Sequence, residues 1–274
     1  MEQTAIDKAL DVLFHLHASP LALGVSELGR SLDLPRSSAH RLLSSLKRRA
    51  LVEQDEAGRY RPGVGLIALA SGVLERDPLV SAARPVMEAS AESLGDTFFL
   101  VAARGGRLLV LDKAEGTGVL RASPRLGSTV PVHATAVGKL YLAHAPEQVA
   151  PADDQDARQR FTAQTLADDE ALRAEAQAAA ARGYATNRQE WIAGLYVVAA
   201  PIAVAGRMHG AVCAALPTTR MQQLAEADVA ARVMDAAAHI ARRLRGVAEP
   251  DAIAGRKRDD ARSRTKPANR RHEP

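Results

Sequence analysis

The stretch from Asp33 to Arg49 limits what this chain can fold into more than any other. Asp33-Leu34-Pro35 reads as a tight turn, with Pro35 suited to the first turn of a following helix. Ala39, Leu42, Leu43 and Leu46 then recur at i, i+3, i+4 and i+7, the spacing of a helix with one buried face. Arg36, Ser37, His40, Arg41 and Ser44 fall largely on the opposite side. Residues 36–49 carry five basic side chains (Arg36, Arg41, Lys47, Arg48, Arg49) and no acid.

The flanks complete a unit. Ile6, Ala9, Leu10, Leu13, Leu16 and His17 predict a first helix over 5–17. After the break at Pro20 and Gly24, a short helix starting at Ser26 should bury Leu28 and Leu32. Beyond the third helix, Leu51–Gln54 and Arg59–Arg61 flank Asp55-Glu56-Ala57-Gly58, which predicts a small hairpin. Three helices and a hairpin within 62 residues make a winged helix-turn-helix. A solvated basic face is the ordinary meaning of such a helix, but this element order favours DNA. Arg36, Ser37, Ser38, His40 and Arg41 can then meet base edges and phosphates in the major groove. Lys47, Arg48, Arg59 and Arg61 would reach phosphates from the helix end and the wing.

Residues 66–76 predict a connecting helix and Pro78 opens another, to about Leu94. Strand-like runs follow at Thr97–Ala103, Arg107–Lys113 and Gly118–Ser123, the first two joined by Arg104-Gly105-Gly106. Helices are expected at 134–143 and 168–182, strands at 196–204 and 210–216, and one long helix at 219–244. Hairpin strands with flanking helices imply an α+β domain, an antiparallel sheet covered by helices. The domains expected are 1–62 (DNA-binding), 63–78 (linker helix), 79–246 (sensing) and 247–274 (a basic tail). Residues 256–274 hold eight Lys or Arg against three acids and lack apolar periodicity, so disorder is expected there.

Other classes find little support. Apolar runs fall far short of the roughly 20 residues that span a bilayer. The N-terminus lacks a basic start and an apolar core, and Cys213 is the sole cysteine, which together imply a cytoplasmic protein. No nucleophile elbow, phosphate loop or metal-ligand spacing occurs, so no enzyme, metal or cofactor is expected. A winged helix that binds only protein is the other alternative.

Two further segments stand out. One is Gly127-Ser-Thr-Val-Pro-Val-His-Ala-Thr-Ala-Val-Gly-Lys-Leu-Tyr-Leu-Ala143; the other is Arg182-Gly-Tyr-Ala-Thr-Asn-Arg-Gln-Glu190 with Gly194, Ala199-Ala-Pro201 and Gly210, ending near Pro217. With Arg36-Ser-Ser-Ala-His-Arg-Leu-Leu43 they closely resemble the IclR-type bacterial transcription regulators, over about residues 5–244. The resemblance implies a GAF-like effector domain, dimers or tetramers on palindromic operators, and small carboxylic or aromatic acids as effectors. Repression is its commoner outcome; activation of a catabolic operon is the alternative.

It also implies a site. Thr135, Ala136 and Val137 begin a helix, where free N–H groups favour an anion, and by the family pattern Ala136 and Val137 offer amides to a carboxylate. Asn187, Val197, Cys213 and Ala215 fall where relatives line the pocket, with Val119 and Ala122 on the strand opposite. By default Val119, Ala122, Val197 and Ala215 are core residues, Cys213 a small buried hydrophobe and His133 a packing or capping residue, and Glu190 falls in an acidic, structural stretch. Relatives carry Cys or Ser where Val197 and Ala215 stand and Asp where Asn187 stands. The pocket expected here is therefore less polar, and suits a glyoxylate-like effector poorly.

Overall fold

The computed structural model describes residues 4–118, 124–150 and 159–248. The chain divides between Arg76 and Asp77 into two compact units. In the first, α1 (Ala5–Ala18), α2 (Val25–Ser31) and α3 (Arg36–Arg48) precede the antiparallel pair β1 (Val52–Gln54) and β2 (Tyr60–Pro62). Thr4 caps α1, exchanging bonds with Asp7. Asp33 takes a positive φ in the turn before α3, and Pro35 sits at the cap rather than inside the helix.

Val12, Leu16, Leu28, Leu34, Ala39, Leu43 and Leu46 form the core, closed by Val52 and Tyr60 of the wing. Tyr60 exchanges backbone bonds with Leu23, which pins the wing to the helices. The buried stripe of α1 is Val12 and Leu16, so Ile6 and Leu10, expected inside, stand exposed with Phe14. The expected linker is α4 (Gly65–Arg76), which buries no residue.

The second unit opens with α5 (Pro78–Leu94), capped by Asp77. Among the described residues its sheet has six strands, all antiparallel, in the order β5-β4-β3-β8-β7-β6. These are β3 (Thr97–Arg104), β4 (Arg107–Ala114), β5 (Thr129–Val130), β6 (Ala185–Arg188), β7 (Leu195–Val204) and β8 (Arg207–Pro217). Gly105 and Gly106, both at positive φ, make the tight turn from β3 to β4. Near-continuous burial along β3 and β8 shows that both faces of the sheet are covered. One face carries α6 (Ala136–His144) and α7 (Asp169–Arg182) over Phe99, Val101, Val197, Ala199, Ala211 and Cys213. The other carries α5 and α9 (Glu226–Ala248), and Gly210 lets the Leu79 side chain of α5 approach the β8 backbone.

Two expectations change. The terminal helix is two, α8 (Thr218–Met221) and α9, and side chains of the two are anchored at different places. Arg220 reaches Asp96 and the Leu94 carbonyl from α8, whereas Glu226 opens α9 and receives Tyr184, Tyr196 and Arg188. Strands β5 and β6 were not expected. The strand expected at 118–123 and the tail beyond 248 lie outside the described residues. Among those described, no helix is long and apolar enough to cross a membrane.

Candidate functional site

On the first unit, the solvent face of α3 presents Arg36, Ser37, His40 and Arg41, with Ser38 half-buried. Ala39, Leu43 and Leu46 hold the helix from the other side, so the polar row is fixed by the core beneath it. Arg59 projects exposed from the wing turn, its amide bonded to Asp55. Lys47 donates to Gln54 Oε1 at 2.9 Å and so ties α3 to the wing. Arg48 reaches Ser45, and Arg61 pairs with Glu53 across the hairpin at 2.5 Å. Arg61 thus has a carboxylate partner, whereas no carboxylate among the described residues pairs with Arg36, Arg41 or Arg59.

The second unit holds a cavity of about 670 Å³ between the sheet and the start of α6. Thr135 is the helix cap: its hydroxyl accepts from the Gly138 amide at 3.1 Å and donates to the Pro131 carbonyl at 2.7 Å. That uses one of the four amides a helix start leaves open. The Ala136 and Val137 amides have no acceptor among the described residues, and both residues line the cavity. Gly138 lets the helix start lie directly on the preceding segment, since a Cβ there would meet the Val132 carbonyl oxygen at 1.8 Å.

Asn187, Val197 and Ala215 stand side by side on β6, β7 and β8, paired Asn187 to Val197 and Val197 to Ala215, and all three line the cavity. Asn187 is already engaged. Its Nδ2 donates to the Ala134 carbonyl and its Oδ1 accepts from the Glu190 amide. One N–H and one lone pair remain for a ligand.

Cys213, expected in the pocket, lies beside it. It shares that face of β8 but lies one pair further along, opposite Phe99 and Ala199, and is not in the cavity wall. It packs in the core that Tyr141 of α6 joins, and burial pushes its thiol well above the ordinary range, which disfavours a reactive thiolate. Val119 and Ala122 lie outside the described residues.

Sequence reasoning missed most of the described wall: Phe99, Arg125, Ser128, Thr129, Trp191 and Ile192 are among the other residues that face the cavity. It also missed Lys139. This side chain is 1% exposed and donates from Nζ to Glu190 at 2.8 Å and to the Thr186 carbonyl at 3.0 Å. A lysine among Val137, Leu140 and Tyr141 was the available signal, because buried lysines are nearly always paired. Glu190 is thus structural, as expected. His133 stacks on Phe161 and bonds the Gln159 carbonyl through Nε2, a packing role. No cluster of His, Cys, Asp or Glu among the described residues is arranged to hold a metal.

Comparison with known proteins identifies the family of both units. Residues 5–56 match the model of the IclR helix-turn-helix domain, and residues 71–242 that of the bacterial transcriptional regulator IclR C-terminal domain. The HTH-type transcriptional regulator BhcR of Paracoccus denitrificans is 33% identical over 236 residues, covering 85% of this chain and 84% of that one. The HTH-type transcriptional repressor AllR of Escherichia coli K12 is 28% identical over 200 residues, covering 72% and 74%. An IclR homologue from Microbacterium hydrocarbonoxydans, solved in complex with 4-hydroxybenzoate, superposes with a TM-score of 0.76 at 26% identity, covering 89% of this chain and all of that one.

Proposed function

This chain belongs to the IclR family of bacterial transcriptional regulators, and from that premise we propose that it is a cytoplasmic repressor released or tightened by a carboxylic acid with an apolar, aromatic or branched body. The observation that carries this reading is the pair of open amides at Ala136 and Val137, beside the row Asn187, Val197 and Ala215. A helix start can hold a carboxylate without a buried cation. Val197 and Ala215 offer no hydrogen bond, so the body of the ligand should be apolar. Asn187 leaves capacity for one hydroxyl or carbonyl. The 4-hydroxybenzoate complex of the Microbacterium homologue supports an aromatic acid, and the name of AllR supports repression.

The described wall contains no carboxylate, imidazole or thiol, which favours binding over turnover. Calorimetry tests the effector. Benzoates or branched acids should bind more tightly than glyoxylate and pyruvate; the reverse order would reject the reading.

For DNA, we read Arg36, Ser37, Ser38, His40 and Arg41 as the groove-facing row, with Lys47, Arg48 and Arg59 on phosphates. Association into dimers is supported by apolar surface on the first unit. Ile6, Leu10 and Phe14 form an exposed i, i+4, i+8 stripe on α1, and α4 exposes Ile67, Leu69 and Val73. A second copy of the chain would cover these surfaces and match a palindromic operator. Titration of an operator should therefore saturate at two or four chains per site. In the same titration Arg41→Ala should weaken binding by roughly 1–3 kcal/mol, with unchanged circular dichroism. Saturation at one chain, or wild-type affinity in the variant, would contradict the respective assignment.

A further inference from the structure

The cavity has a direction. Its floor is Ala136, Val137, Asn187 and Ala215, each at most 2% exposed. Its rim is Arg125, Ile192 and Ala193, all exposed. Among the described lining residues Arg125 bears the only charge. It is also held in place: the Ser128 amide and hydroxyl both bond the Arg125 carbonyl, and the Gly127 amide bonds Val110 of β4. The backbone beneath Arg125 is therefore fixed, while no described carboxylate occupies its guanidinium.

We propose that Arg125 reads a second anionic group, so that the effector is a dicarboxylic acid: one carboxylate on the floor amides, an apolar body against Val197 and Phe99, and a second carboxylate at the rim. This rests on the reading of the floor as a carboxylate site. The two ends differ in what they cost the ligand. A carboxylate on the floor loses its water and recovers it as two amide bonds. A second carboxylate on the floor, among Val197 and Ala215, would find no such partners. At the rim it keeps part of its hydration and gains a guanidinium able to bind both oxygens at once. The fixed backbone at both ends makes the separation of the two carboxylates a selected quantity, so one length of diacid should fit best.

The test is calorimetry of the full chain with alkanedioates from adipate to azelate against the monoacids of matching length. At one length the diacid should bind about fivefold more tightly than its monoacid, the upper worth of an ion pair at an exposed site. Arg125→Gln should erase that preference and leave the monoacid within about twofold of wild type, since the floor is untouched. Equal binding of diacid and monoacid at every length would overturn the second contact alone. So would an Arg125→Gln variant that loses both acids equally, because Arg125 would then only attract anions to the mouth. Binding of neither series would overturn the carboxylate floor and the two-ended ligand together.

Discussion

Lys139→Met should destabilise the second unit by about 3–5 kcal/mol, the usual consequence of removing one partner of a buried ion pair. The size follows from what the substitution leaves behind. Lys139 is 1% exposed, and its Nζ serves the Glu190 carboxylate and the Thr186 carbonyl. Without it Glu190, itself 6% exposed, keeps a charge with no cation within bonding distance and one carboxylate oxygen that already lacks a partner. Glu175, the other acid near Nζ at 3.8 Å, would add repulsion rather than relief. Thermal unfolding should shift down by about 10 °C, as a loss of this size implies for a unit of this length. Lys139→Met with Glu190→Met should recover much of the loss, because an apolar pair of similar volume removes the stranded charge. A single variant melting within about 2 °C of wild type would show that the pair is not the lock we describe.

The location of that pair ties it to the cavity. Lys139 is one turn into α6, and Glu190 follows the strand that carries Asn187. Asn187 bonds both the Glu190 amide and the Ala134 carbonyl just ahead of the helix. The start of α6 and the end of β6 are thereby fastened at two points, one ionic and one neutral. The open amides between them are positioned by these bonds, not by the ligand.

Much of this was legible in the sequence, and the division has physical causes. The winged helix-turn-helix was readable because its buried positions repeat at helical spacing and its turn residues have few other uses. Thr135, Ala136, Val137, Asn187, Val197 and Ala215 were placed through family resemblance, and all six line the cavity. Cys213 was placed through the same resemblance, and lies outside the cavity wall: it faces the same side as Ala215 but lies under α6. Arg125, Trp191 and Ile192 escaped notice because they sit in irregular segments, where no periodicity says which side chain turns inward. Ile6 and Leu10 misled for a different reason. Apolar spacing marked a stripe wider than the one the core uses, which is Val12 and Leu16.

Ala136→Pro should leave the fold intact and reduce effector affinity about ten- to a hundredfold, the worth of a hydrogen bond to a charged group. Proline is tolerated in the first turn of a helix, where the missing N–H had no intrahelical partner. The residue before it must be extended, and Thr135 already is, at φ −134° and ψ 151°. The Thr135 cap bonds the Gly138 amide, so it survives the substitution. Removing the Ala136 N–H therefore deletes a group that no described part of the protein uses. Its ring would also occupy the floor where a carboxylate is expected. Stability should stay within about 1 kcal/mol of wild type, and operator binding should persist without its response to the acid. Ala136→Ser, which keeps the amide and adds little bulk, should retain most of the affinity and separates the lost donor from a general disturbance of α6. If the proline variant melts as the wild type does and still binds benzoates equally well, the amides at the start of α6 are not where the carboxylate sits.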